Sequence, residues 1–154
     1  MTDDPLPFDL SMVEEVLPRW ADLHATATLR GGAALTPADL DRLRALDAEH
    51  DAALAAGRVD EAIAADDAFH QVFLQAAADP DLQVSVDLLL PRLRRMDLWI
   101  FTRKAFSGGD GTSTHPAIIA ALERGDVAGA AELVRRSYLD PAADLAAALA
   151  ARDR

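Results

Sequence analysis

In the stretch DDAFHQVFLQAAADP (66–80), Asp66 and His70 are four positions apart. On a helix, residues i and i+4 project from one face about one turn apart. A carboxylate and an imidazole so placed can meet one divalent ion, with bonds of about 2.0–2.2 Å. The same pair also makes an ordinary exposed ion pair, and spacing alone favours that plainer reading. Asp67 is a rival for the role, but at i+3 from His70 its angle differs. Three more histidines are present: His24, His50 and His115. His115 opens a short helix just after the glycine-rich stretch SGGDGTST (107–114). The positive end of a helix disfavours imidazolium, which suits a neutral, ligating ring there. His50, flanked by Glu49 and Asp51, reads as exposed. His24 lies between apolar residues and reads as a satisfied core or boundary histidine.

A second group of candidates is cationic. Arg92, Arg95 (or Met96), Trp99 and Arg103 recur at three- and four-residue spacing along one helix. Such a face either pairs with surface carboxylates or binds an anion, and a guanidinium fork matches a carboxylate well. No nucleophile arrangement is visible. The chain has no cysteine, so it has neither a disulfide framework nor a thiolate metal site. It has no GxSxG, Walker lysine motif or GxGxxG. The GGDG stretch has no strand before it and no Lys-Ser/Thr after it, so it reads as a flexible connection rather than a phosphate loop.

The elements that must position these residues read as helices throughout. Half of the 154 residues are hydrophobic but only 5% are aromatic, and Ala, Leu, Asp, Glu and Arg dominate. Ser11-Met-Val-Glu14 has the form of a capping box before a helix over about 12–30, which Gly31-Gly32 ends. Pro18 should kink that helix or reset its start. Thr36-Pro37-Ala-Asp39 opens a second helix that stops at Gly57. A third spans about 59–77, closed by Asp79-Pro80, and a fourth about 81–106, with a bend expected at Pro91. A short helix over 115–124 ends at Gly125. Asp126 caps the next to about 139, and Asp140-Pro141 starts a last one. VSVDLLL (84–90) has strand propensity, but its helical neighbours override it. The result is one all-α domain over residues 1–154, an antiparallel bundle of six to seven helices, with residues 1–9 expected to be loosely ordered.

The formal net charge of −11 makes a poor non-specific partner for nucleic acid or an anionic membrane. No stretch approaches the roughly 20 apolar residues of a membrane span. The N-terminus MTDDPLPF lacks the layout of a signal peptide, so a cytoplasmic protein is expected.

The pattern Asp66-x-x-Phe69-His70, a helix after AADP, His115-Pro-Ala-Ile118-Ile119 and Gly125-Asp126-Val-Ala-Gly-Ala130-Ala131 resembles the FCD domain. That is the C-terminal effector-binding domain of FadR-type regulators in the GntR family, and the resemblance covers about residues 10–150. It implies an antiparallel helical bundle that dimerises and binds a small organic acid in a central cavity. In many members a divalent metal, zinc or nickel-like, sits at the cavity floor. Asp66, His70 and His115 match its first three ligands. The fourth, another histidine in the family, falls about 22 residues after His115, where this chain has Ser137, a poor ligand for such ions. The family's winged helix-turn-helix has no counterpart in the sequence, which reads as an effector domain without its own nucleic-acid contact. The resemblance therefore assigns Asp66, His70 and His115 to a metal. Ser137, Arg92, Arg95 and Trp99 go to an anionic metabolite. A metal-dependent enzyme built on the same three ligands, and a helical adaptor with a degenerate pocket, remain the alternatives.

Overall fold

The computed structural model describes residues 9–106 and 114–152. They form six helices: α1 (Leu10–Gly32), α2 (Pro37–Ala55), α3 (Val59–Ala77), α4 (Pro80–Phe106), α5 (His115–Glu123) and α6 (Val127–Arg152). No strand occurs among the described residues, and 84–90 lies within α4. The expected loose order of residues 1–9 and the SGGDGTST connection fall almost entirely outside them.

Local chemistry sets most of the boundaries. Thr36 caps α2 by accepting from the Asp39 amide, while the Asp39 carboxylate accepts from the Thr36 amide, a complete capping box. α2 ends at Ala56, and Gly57 takes a left-handed φ of 71°. Asp126 caps α6 by accepting from the Gly129 amide at 2.9 Å.

Two expectations are corrected. Asp9, not Ser11, caps α1: its carboxylate accepts from the Met12 amide at 3.0 Å and from the Ser11 hydroxyl at 2.8 Å. An aspartate two residues earlier offers a charged acceptor to the orphan amides of the first turn, so the helix starts sooner. Pro141 does not start a new helix but lies inside α6. It only removes the amide that would bond the Ser137 carbonyl, and packing of α6 on both sides carries the helix past it. Pro18 and Pro91 are likewise inside α1 and α4.

Successive helices run antiparallel. α1 is the hub and packs most extensively on α6, then on α3 and α4. Its buried stripe, Val13, Val16, Leu17, Trp20, His24, Ala27, Thr28 and Gly31, follows the three- and four-residue spacing of a single helix face. Facing it are Phe69 and Phe73 of α3, Leu93 and Met96 of α4, Ile118 of α5 and Val134 of α6, all buried. Ion pairs lace the outside: Arg30 with Asp79, Arg44 with Glu123 at 2.6 Å, and Arg135 with Asp22. α1 and α3 run in the same direction, with His24 beside His70 and Gly31 against Phe73 and Ala77. No helix among the described residues is long and apolar enough to cross a membrane.

Candidate metal centre

Asp66 and His70 project from the face of α3 that carries Phe69 and Phe73, so His70 is buried and Asp66 is one-fifth exposed. His115 enters from the start of α5. Pro116 in its first turn fixes the local backbone for the helix, and the His115 ring stacks on Phe69 at 3.9 Å between centroids and 12° between planes. That stacking aims Nε2 at the Asp66 carboxylate, 2.9 Å away. His70 Nε2 lies 3.6 Å from the same oxygen. The three donors all fall within 4.8 Å of one another.

Burial alone would raise the Asp66 pKa, but His70 and His115 hold it well below the ordinary carboxylate value. The carboxylate is therefore ionised at neutral pH, the form a metal requires. Two donors on a tetrahedral ion with bonds near 2.1 Å stand about 3.4 Å apart. The separations of 2.9 and 3.6 Å bracket that value. The donor set fits a divalent ion of the zinc or nickel kind.

A second set, Asp47, His50 and His115, shares the His115 ring. His115 Nδ1 lies 3.3 Å from Asp47, so the ring stands between two carboxylates. His50 is 4% exposed, against the expectation of a solvated residue. Its acidic neighbours misled. Leu43, Leu46, His50 and Ala53 form the buried stripe of α2, and that spacing was the available signal. The His50 ring stands 4.9 Å from His115, and its Nδ1 lies 3.2 Å from Asp51.

His24 is also buried, at 4% exposed, but it is not a satisfied core histidine: neither ring nitrogen has a hydrogen-bond partner. Its ring lies 5.3 Å from His70 and 4.4 Å from Trp20. Burial, helped by His70, lowers its pKa to about 3. Tyr138 of α6 closes this side of the group, 5.5 Å from His70 and 5.7 Å from His24. Burial and the nearby Asp66 charge raise its phenol well above the usual value.

The other sequence candidates are not gathered here. The Ser137 hydroxyl donates to the Val134 carbonyl at 2.6 Å, and it is Tyr138, one position on, whose ring meets the histidines. Arg92 and Arg95 are exposed and line a separate surface hollow with Asp9, Met12 and Glu15 of α1. Met96, the alternate to Arg95, is fully buried core. Trp99 and Arg103 belong to α4, and their side chains lie outside the described part. Among the described residues, Arg94, which sequence reasoning passed over, reaches the edge of the site. It donates to Asp67 at 2.7 Å, beside Asp66. Burial raises the Asp67 pKa, and Arg94 offsets part of that rise. Which of three near-consecutive arginines faces α3 depends on how α4 is rotated against it, and local sequence does not carry that.

In this all-helical bundle, imidazoles and carboxylates converge from several helices into groups that could hold a metal ion. The FCD domain family matches residues 21–140, and the chain belongs to that family. FCD domains are the effector-binding domains of GntR-type transcription regulators. No curated protein and no solved structure matches the chain.

Proposed function

We propose that this domain senses a small organic acid for a transcription regulator, with a divalent ion held by Asp66, His70 and His115. The observation that carries the reading is the convergence of those three donors, from α3 and α5, at separations suited to one ion. Three protein ligands leave open coordination positions, and a substrate-like carboxylate is a good occupant for one of them. The acid would then be read through the metal, whose charge the one ligating carboxylate, Asp66, only partly offsets. Dimerisation would use the face formed by α1 and α4. There Val84 and Leu88, one turn apart, are 55% and 73% exposed, beside a groove of about 610 Å³ lined by Leu23, Leu82 and Leu89.

The test is thermal melting of protein purified without a nickel column, stripped with chelator and reloaded with zinc or nickel. Binding at a hundred times Kd stabilises by about 2.7 kcal/mol, which is roughly 5–10 °C for a chain of this size. The metal raises the melting temperature, and a di- or tricarboxylate raises it further only when metal is present. Asp66→Asn removes both effects. A melting temperature indifferent to every metal and every acid would refute the reading.

A further inference from the structure

We propose that His24 is a fourth ligand to the ion held by Asp66, His70 and His115, making a centre of one carboxylate and three imidazoles closed from the side of α1. The proposal rests on the metal reading above and extends it to a helix that supplies none of the three convergent donors.

Buried polar groups in folded proteins are almost always hydrogen-bonded. His24 is 4% exposed, and neither of its nitrogens has a partner. An orphaned group of this kind costs folding free energy. Such a group in the core needs a partner that the neighbouring protein atoms do not supply.

The ring separations agree for His24 with His70 and for His70 with His115. An imidazole bound through nitrogen puts its centroid about 3.2 Å from the ion, so two rings on a tetrahedral ion stand about 5.2 Å apart. His24 and His70 are separated by 5.3 Å, and His70 and His115 by 5.7 Å. His24 stands one ring behind His70, outside the convergent set of three, and rotation about its χ1 and χ2 is the adjustment the proposal requires. Competing donors on that side are weak. The Ser137 hydroxyl is committed to the Val134 carbonyl. Asp47 and His50 approach from the other edge of His115.

The plainer account is that His24 only packs, tilted against Trp20 at 4.4 Å. The two accounts predict opposite consequences of His24→Phe, and cobalt(II) is the probe. Ligation predicts three hyperfine-shifted imidazole N–H resonances in the cobalt-loaded wild type and two in His24→Phe. Cobalt affinity falls at least about tenfold, as when a metal site loses a supporting group. Melting of the metal-free variant is unchanged or higher, because an orphaned polar group has gone. His24→Gln gives the same cobalt readings should the larger ring be poorly accommodated. If both variants bind cobalt with wild-type affinity and resonances while His70→Ala does not, His24 is not a ligand and the three-donor reading stands. If wild type binds no cobalt, or His70→Ala binds it unchanged, the three-donor reading fails and the proposal with it.

Discussion

Gly31→Ala should cost stability although it replaces glycine inside a helix with the best helix former. Gly31 lies seven residues after His24 on the same face of α1, at the point where α1 crosses α3. A Cβ there would fall far inside van der Waals contact with the Phe73 carbonyl oxygen and 3.0 Å from both the Phe73 carbonyl carbon and the Ala77 nitrogen. These are backbone atoms of a well-packed helix and cannot rotate aside. An ordinary contact of about 3.5 Å returns only if the two helices part by roughly 1 Å. The intrinsic helix preference of Ala over Gly returns about 1 kcal/mol. Overpacking costs about 1–3 kcal/mol, toward the upper end here because a whole helix must move. The expected net loss is about 1–2 kcal/mol, or roughly 2–8 °C in melting temperature. Gly32→Ala is the matched control. Its Cβ would meet Val127 Cγ1 at 2.8 Å and Leu122 Cδ2 at 3.4 Å, side-chain tips that can yield, so it should be nearly neutral. Urea unfolding of the two variants and wild type, with unchanged m-values, measures the difference. The same opening should weaken cobalt binding, because the crossing sets the distance between His24 and His70. A Gly31→Ala protein as stable as Gly32→Ala would show that α1 and α3 do not approach as described.

Two further outcomes follow from the same structure. Metal-stripped protein should lose stability as pH falls from 6.5 toward 5. His24 has a folded pKa near 3, so its neutral form is favoured by folding above 6.5, and below that the unfolded chain takes up a proton the folded one refuses. The loss is about 2 kcal/mol by pH 5 at 1.36 kcal/mol per unit; the facing Asp66 opposes the shift and His70 adds to it. His50, lowered mainly by burial, acts in the same direction, whereas the Asp66 shift matters only below its unfolded value of 3.8. Chelator-treated His24→Phe should show a shallower slope by urea unfolding at each pH, and an equal slope would contradict the assignment. Asp126→Ala should cost about 1 kcal/mol in the same assay by uncapping α6, and a neutral result would deny the cap.

The bundle was legible because helices announce their ends. Thr36-Pro37, Gly57, Gly125 and Asp126 each act through groups within four residues, and each lies where its local chemistry puts it. Asp66, His70 and His115 were found through spacing and a family pattern, and the structure brings them together. The errors share one cause. His50 was judged by its neighbours in sequence, whereas burial follows its neighbours on the helix face. Arg92 and Arg95 were preferred to Arg94 because nothing local fixes the rotation of α4. Asp9 was passed over for Ser11 because both fit the cap pattern, and only the extended backbone at Asp9 distinguishes them.

His24, His70, His115 and His50 come from α1, α3, α5 and α2, with successive ring separations of 5.3, 5.7 and 4.9 Å. This arrangement bears on how a sensor could work. A ligand shifts a conformational equilibrium only by binding two packings unequally. Donors on a single helix would move together and would hardly distinguish one packing from another. Donors on separate helices keep the right separations in one packing and lose them in another, so occupancy of the site and the placement of the helices become one equilibrium. α1 matters most in that scheme. It carries His24 on its buried face, and it forms with α4 the groove beside the exposed Val84 and Leu88. An ion that drew His24 toward His70 would move the same helix that lines the apolar surface, which is a short mechanical route from the proposed effector to the proposed subunit interface.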